Sequence, residues 1–121
     1  MSTDRFGDFV LSSQVYTNAR DLARFGLLYL QRGVWNGERL LSEEWIDFVT
    51  TPAPATADIG NMYGGQFWLV PDDRTDVPGD AYMTNGNRGQ FTIIVPSHEL
   101  VIVRRGLDLI SWCGYNSSDR W

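Results

Sequence analysis

The sequence predicts an α+β fold in which helices pack on an antiparallel sheet. Two patterns support this: apolar residues recur at helical spacing between residues 18 and 32, and two apolar strands, 91–95 and 100–104, follow each other across a short turn. Strands joined so closely pair antiparallel. A length of 121 residues, with 43% hydrophobic residues, allows one globular domain at most.

The helix is predicted from about Asn18 to Arg32, and either Thr17 or Asn18 can cap its N-terminus. Its apolar residues form one helical stripe: Ala19, Leu22, Ala23, Gly26, Leu27 and Leu30. Further apolar residues lie off this stripe, namely Phe25, Leu28 and Tyr29. We therefore expect a helix that is buried on two sides.

A small hairpin is predicted over residues 34–41, because Asn36-Gly37 suits a type I′ turn. Ser42 then caps a short helix that ends by about Thr51, before Pro52. Residues 51–61 are expected to form a loop, residues 65–70 a strand and residues 71–79 a polar, turn-rich segment.

The last two strands are apolar on both faces, with Ile94 on one side of the first strand and Ile93 on the other. Burial of each such side chain contributes roughly 1.5–3 kcal/mol, so both faces favour a covering layer. One long helix and one short helix are few elements for that purpose. Self-association through an open apolar face is therefore a possible interaction.

The best candidate site is the glycine-rich segment Thr84-Asn85-Gly86-Asn87-Arg88-Gly89-Gln90, just before the first of these strands. Glycine allows the chain to bend and to aim backbone N–H groups at a ligand. All ten basic residues are arginine, and a chain without lysine has no Ser-x-x-Lys motif. The segment thus has the character of a hydrolase site without its nucleophile.

Composition excludes several function classes. The net charge of −5 and the scattered arginines argue against nucleic-acid binding. Cys113 is the single cysteine, so an internal disulfide is impossible, and we interpret it as a buried thiol, not a metal ligand. We expect no metal and no cofactor. No apolar run reaches transmembrane length, and the sequence assigns no compartment.

Three blocks resemble the C-terminal part of the serine β-lactamase and penicillin-binding-protein superfamily, in the branch of class C β-lactamases, related esterases and 6-aminohexanoate-dimer hydrolases. They are residues 16–30 with 33–42, residues 63–68, and residues 86–90 through 103–106. The resemblance implies that residues 1–121 are a single partial domain, the C-terminal segment of a β-lactamase/transpeptidase-like fold.

In that family the serine of Ser-x-x-Lys attacks an acyl carbon, and a tyrosine relays protons. A third motif, Lys-Thr-Gly or a variant, lies on an edge strand, and the N–H that follows it helps to form the oxyanion hole. Here Thr84-Asn85-Gly86 would stand for that motif, with threonine replacing lysine, and the backbone N–H of Asn87 would be the donor. Such a donor is worth roughly 10²–10³ in rate. Arg88 either meets a substrate carboxylate or is solvated.

For the other residues that could be catalytic, the sequence favours a structural role. Tyr16-Thr17-Asn18 matches the family's Tyr-x-Asn by letters, but it lies where a helix cap is expected. His98 lies in the turn between the last two strands, at the end away from Gly86, and is expected at the surface. Ser12 and Ser13 have no nearby base.

Two hypotheses of function follow. The first is a segment of a serine hydrolase that transfers the acyl group of a small ester, amide or lactam to water, with its nucleophile, base and relay tyrosine N-terminal to Met1 in a full-length relative. Such a segment should be inactive alone. The second is a non-catalytic binding or interaction module derived from this fold. A tryptophan-based carbohydrate site is a weaker third idea, since core packing is expected of Trp35, Trp45 and Trp68.

Overall fold

The computed structural model describes residues 3–8 and 15–108. The helices are α1 (Ala19–Leu30) and α2 (Glu43–Thr50), with short 3₁₀-helices at Pro54–Ile59 and Pro96–His98. The strands are β1 (Val34–Trp35), β2 (Glu38–Arg39), β3 (Trp68–Leu69), β4 (Tyr82–Gly86), β5 (Gln90–Val95) and β6 (Leu100–Arg105). The predicted α+β class is confirmed. Ser12, Ser13 and Cys113 lie outside the described residues.

Helix α1 begins as predicted, with Asn18 as its cap. The Asn18 side chain accepts a hydrogen bond from the backbone N–H of Asp21 at 3.0 Å. The Tyr-x-Asn letters at 16–18 therefore mark a helix start. Along the helix the buried residues are Gly26 and Tyr29, whereas Leu27 is exposed. The buried face is thus rotated from the predicted stripe toward Tyr29.

The hairpin and the second helix are also confirmed. Asn36 and Gly37 have φ angles of 51° and 84°, the left-handed values that a type I′ turn requires. Ser42 accepts a hydrogen bond from the N–H of Trp45 at 3.1 Å and so caps α2. The loop predicted over residues 51–61 is only partly correct, because it contains the 3₁₀-helix Pro54–Ile59. Pro54 fits the start of that helix, where no N–H donor is needed.

The larger sheet is an antiparallel meander in the order β3-β4-β5-β6. In register, Gly86 pairs with Gln90 and Val95 pairs with Leu100, which confirms the two predicted strands and extends each by one residue. Strand β4 was not predicted from the residues, since Thr84-Asn85-Gly86 resembles a turn. The turn itself is limited to residues 87–89, and pairing with β5 overrides the weak strand preference of 84–86.

Strand β3 is shorter than predicted. Only Trp68–Leu69 of the segment 65–70 is a strand. Gln66 has a φ of 75°, and its N–H donates to the carbonyl of Gly64 at 3.1 Å, so the chain turns here instead of extending. As a result β3 pairs with just the first two residues of β4, Tyr82 and Met83.

The core lies between the two helices and one face of this sheet. Its buried members are Tyr29, Ile46, Val49, Phe67, Leu69, Tyr82 and Ile94. The ring of Phe67 joins helix and sheet, with centroids 4.8 Å from Tyr29 and 5.3 Å from Tyr82. On the opposite face Leu100 and Ile102 are 43% and 45% exposed, in agreement with the expected shortage of covering elements.

The tryptophans do not occupy the core that was expected for them. Trp45 is 40% exposed, and its Nε1 donates to the hydroxyl of Tyr29 at 3.3 Å. Trp35 and Trp68 are half-buried. These three tryptophans therefore pack at the margin of the core. In the described part of the chain, the helices are too short or too polar to cross a membrane.

Candidate functional site

The predicted site forms the turn between β4 and β5. Beyond the pair Gly86–Gln90, residues Asn87, Arg88 and Gly89 connect the strands. Arg88 and Gly89 have φ angles of 61° and 79°, a left-handed conformation that is ordinary for glycine and uncommon for arginine. A Cβ atom at Gly89 would meet the ends of the Arg104 and Asp108 side chains, which are flexible enough to move. Glycine is favoured at this position chiefly by its left-handed φ angle.

Hydrogen bonds from the segment at and after the end of β6 fix two of the three carbonyl groups of the turn. The N–H of Gly106 donates to Gly89 O at 2.9 Å, and the N–H of Asp108 donates to Arg88 O at 3.1 Å. Nη1 of Arg104 also donates to Gly89 O, at 2.8 Å. The turn is therefore held from one side by a segment that follows it in the chain.

An ion pair strengthens this support. Nη1 and Nη2 of Arg104 donate to the two carboxylate oxygens of Asp108 at 2.8 Å and 2.7 Å, a two-pronged geometry. The hydrogen bond with Arg104 lowers the pKa of Asp108. Sequence reasoning missed both residues, because their role depends on the return of β6 beside the turn between β4 and β5.

Gln90 connects the same region to the start of α1. Its Nε2 donates to the carbonyl of Gly106, and its Oε1 accepts from Nε of Arg105 at 3.0 Å. Arg105 in turn donates to the backbone carbonyl of Thr17. The predicted site thus rests on contacts that span the helix start, the strand β5 and the end of β6.

Asn87 lies beyond the ladder of β4 and β5 and is exposed. Within residues 3–8 and 15–108, no hydrogen bond from its backbone N–H is found. Within the described ranges, this amide is therefore not used by the sheet.

Next to this amide, β4 presents an open edge. Strand β3 pairs only with Tyr82 and Met83, so the side of residues 84–86 that faces away from β5 has no neighbouring strand among the described residues. Unpaired backbone groups on such an edge can bind an extended ligand. Thr84, Asn85 and Gly86 are partly buried, and Asn87, which follows them, is exposed.

Arg88 is exposed, and the described part of the chain contains no ion pair or hydrogen bond of its guanidinium group. Arg104 and Arg105 lie at the same end of the sheet, and Asp108 pairs with Arg104 there. The exposed guanidinium group of Arg88 is placed to meet an anionic group near the turn.

A serine, a histidine and an aspartate meet at the other end of the sheet, but not as a catalytic triad. The N–H and Oγ of Ser97 donate to the carboxylate of Asp80 at 2.6 Å and 2.8 Å, and Oγ lies 2.9 Å from Nδ1 of His98. A triad requires histidine between the other two, whereas here serine is in the middle. The contacts fix the exposed turn in which His98 was predicted. Among the described residues there is also no cluster of metal-ligating side chains.

Comparison with known proteins finds a distant relative that is named as a hydrolase. No family model matches the chain. An alignment of 121 positions, which covers 93% of the chain, is 31% identical to the 6-aminohexanoate-dimer hydrolase of Paenarthrobacter ureafaciens. Another, over 98 positions and 74% of the chain, is 31% identical to an uncharacterized protein of Alkalihalophilus pseudofirmus. The chain has a distant hydrolase homologue. It spans 29% of the length of each of these curated relatives.

Proposed function

We propose that this chain is a partial domain, residues 1–121, of a serine hydrolase with a β-lactamase-like fold, and that it supplies the third-motif strand and one oxyanion donor. The observation that supports the proposal is that Asn87, an exposed residue, lies just beyond the ladder of β4 and β5, and that its backbone N–H has no hydrogen-bond partner among the described residues. The alignment of 93% of the chain with a hydrolase supports it.

In this proposal the nucleophilic serine, its lysine base and a proton-relaying tyrosine come from polypeptide outside this sequence. The serine Oγ attacks the acyl carbon of a small ester, amide or lactam, and the carbonyl oxygen becomes negatively charged. The N–H of Asn87 donates to that oxygen and stabilises the charge where it develops. Collapse of the intermediate expels the leaving group, and water then hydrolyses the acyl-serine.

Three neighbouring residues would orient the substrate. The open edge of Thr84, Asn85 and Gly86 can align an extended acyl group beside β4. A Cβ atom at position 86 would lie 3.0 Å from Cβ of Gln90, and this tight contact favours glycine there. Threonine at position 84 lacks the positive charge of the lysine in a Lys-Thr-Gly motif. Arg88, two residues beyond Gly86, supplies a positive charge instead.

The first test uses the chain alone. Nitrocefin and p-nitrophenyl esters should be hydrolysed no faster than in buffer alone, because the sequence contains no Ser-x-x-Lys motif to form an acyl-serine. Turnover proportional to the protein concentration would contradict the proposal, whether or not a serine acylator blocked it.

The second test restores the missing part. The aligned segment of the Paenarthrobacter ureafaciens enzyme is replaced by residues 1–121, and hydrolysis of the 6-aminohexanoate dimer is measured together with labelling by a fluorophosphonate. We expect turnover and labelling, both lost when the nucleophilic serine of the relative is changed to alanine. A chimera that folds by circular dichroism and shows neither would favour the alternative, a non-catalytic module.

A further inference from the structure

The outer edge of β6 has no neighbouring strand in the part of the chain that the structure describes. The sheet ends with this strand, in the order β3-β4-β5-β6. Just after β6, the N–H of Gly106 points back across the sheet and donates to Gly89 O. Because the backbone groups of a strand alternate between its two sides, those of Val101 and Val103 point away from β5. Among the described residues, no hydrogen bond of these outward groups is found.

Helix α1 exposes an apolar side chain above the same edge. The helix packs on β5 and β6, and Gly26 faces them against Val101. Phe25 lies about 100° around the helix from Gly26, on the side toward β3, where its ring stacks on that of Phe67. Leu27 lies about 100° around the helix in the other direction, and hence above the outer side of β6. Leu27 is 36% exposed, although it belongs to the predicted apolar stripe.

Opposite charges flank this edge. Glu99 directly precedes β6 and is exposed, and its carboxylate forms no ion pair within the described ranges. Arg105 ends the strand, and its guanidinium group donates to a side-chain amide and to a backbone carbonyl, neither of which carries a charge. The strand therefore has a negative charge at its start and a positive charge at its end. Such a strand is complementary in charge to an antiparallel copy of itself.

We propose that the outer edge of β6 pairs with β6 of a second copy of this chain, antiparallel and about a two-fold axis at Ile102. Each Val101 then exchanges N–H···O hydrogen bonds with Val103 of the second copy, so that the two sheets become one. Arg105 of each copy lies opposite Glu99 of the other.

The side chains favour this register. Ile102 meets Ile102 of the second copy as a non-hydrogen-bonded pair, in which the Cα atoms are about 4.5 Å apart and the side chains are close. An axis at Val103 would instead place Arg105 opposite Val101, a charged side chain against an apolar one. With the axis perpendicular to the joined sheet, both α1 helices lie on the same face, and the two Leu27 side chains approach each other.

The dimer is independent of the hydrolase proposal, because its interface uses none of residues 84–88. The first test is sedimentation equilibrium of the full chain over a range of micromolar concentrations. We expect a reversible equilibrium between monomer and dimer, with a dissociation constant that rises with salt because the terminal ion pairs are exposed. A monomer at every concentration, or association that continues beyond the dimer, would overturn the proposal.

A lysine on the axis should prevent the pairing. Ile102→Lys places like charges directly opposite each other in the dimer, whereas the single chain should tolerate it because Ile102 is 45% exposed. We expect the dissociation constant to rise about tenfold or more. Phe48→Lys is the matched control, because Phe48 is 59% exposed and lies beside Gly65, away from β6. Equal dissociation constants of the wild type and a folded Ile102→Lys chain would contradict the proposal.

Disulfide cross-linking tests the register, in a Cys113→Ser background that leaves no other thiol. Ile102→Cys should give a covalent dimer on oxidation, because about 4.5 Å between Cα atoms suits a disulfide. Leu100→Cys is a control of similar exposure, 43%, but it lies opposite Arg104 of the second copy and should cross-link far less. A stronger cross-link at position 100 than at position 102 would contradict the proposed axis.

Discussion

Gly26 of α1 and Val101 of β6 approach so closely that no side chain fits between them. A Cβ atom built on Gly26 would lie 2.6 Å from Cγ1 of Val101 and 3.1 Å from Cγ2 of Thr92. This contact sets the distance at which the helix lies on the sheet, and hence the position of the strands that carry the candidate site.

We expect Gly26→Ala to destabilise the chain. In an exposed helix this change stabilises by about 1 kcal/mol, but overpacking of a tight contact costs typically about 1–3 kcal/mol. The net loss should appear as a lower midpoint in urea unfolding. Val101→Ala removes the opposing methyl groups. In that background, Gly26→Ala should no longer lower the midpoint of urea unfolding. If the single variant is as stable as the wild type, the helix does not depend on this contact.

Thr92 carries a buried hydroxyl without a partner. The residue is 1% exposed, and its Oγ1 is the side-chain atom in the described ranges that is buried without a hydrogen bond. An unsatisfied group of this kind costs about 1–3 kcal/mol, so the nearly isosteric Thr92→Val should raise the free energy of unfolding by about 1 kcal/mol. Thr92→Ser keeps the hydroxyl and loses the methyl group, and it should destabilise. Equal effects of both changes would mean that the hydroxyl has a partner in solution.

The contacts that hold the turn at residues 87–89 should weaken at acidic pH. Because the pKa of Asp108 is lowered from its ordinary value of 3.8, its ion pair stabilises the folded chain above that value. The stabilisation is lost as the pH falls through the lowered pKa and the carboxylate is protonated. Amide shifts of Gly89 and Gly106 should therefore change in this acidic range.

Asp108→Asn is the control for that titration, because it keeps the shape and removes the charge. Its spectrum at neutral pH should resemble that of the acidified wild type at Gly89 and Gly106, and the acid transition should be absent. Identical neutral spectra of the variant and the wild type would show that the ion pair does not hold the turn.

Arg88 should determine a preference for acyl substrates that carry a carboxylate. In the chimera with the relative, Arg88→Gln should raise KM for such substrates about tenfold, the usual effect of losing one charged hydrogen bond. Neutral p-nitrophenyl esters should be unaffected, and Arg88→Lys should give an intermediate loss. An equal change for charged and neutral substrates would assign Arg88 a structural role instead.

Much of the fold could be predicted because its signals are local. Asn18, Ser42 and the Asn36-Gly37 pair each act through hydrogen bonds or φ angles within a few residues, and each lies where predicted. The apolar runs of β5 and β6 were equally clear. Such features need no knowledge of distant contacts.

The elements that escaped prediction depend on pairing and packing that the residues alone do not reveal. Strand β4 exists because Thr84-Asn85-Gly86 pairs with β5 across a three-residue turn, although these residues alone favour a turn. Tyr29 became a core residue, off the predicted stripe, through contacts with Phe67, which is distant in sequence. The site at residues 84–88 stays a prediction from the sequence, whereas the support from Arg104 and Asp108 follows from the return of β6.

The most direct test of the proposed oxyanion donor removes the hydrogen atom of the Asn87 backbone amide. Asn87 does not have a positive φ and begins the turn, a position at which proline is common, so Asn87→Pro deletes the N–H without requiring a change in the sign of φ. Asn87→Ala keeps the N–H and loses only the side chain. In the chimera we expect Asn87→Pro to lower kcat about 10²–10³-fold and Asn87→Ala to leave it nearly unchanged. If the two folded variants have equal kcat, the backbone of Asn87 is not the oxyanion donor.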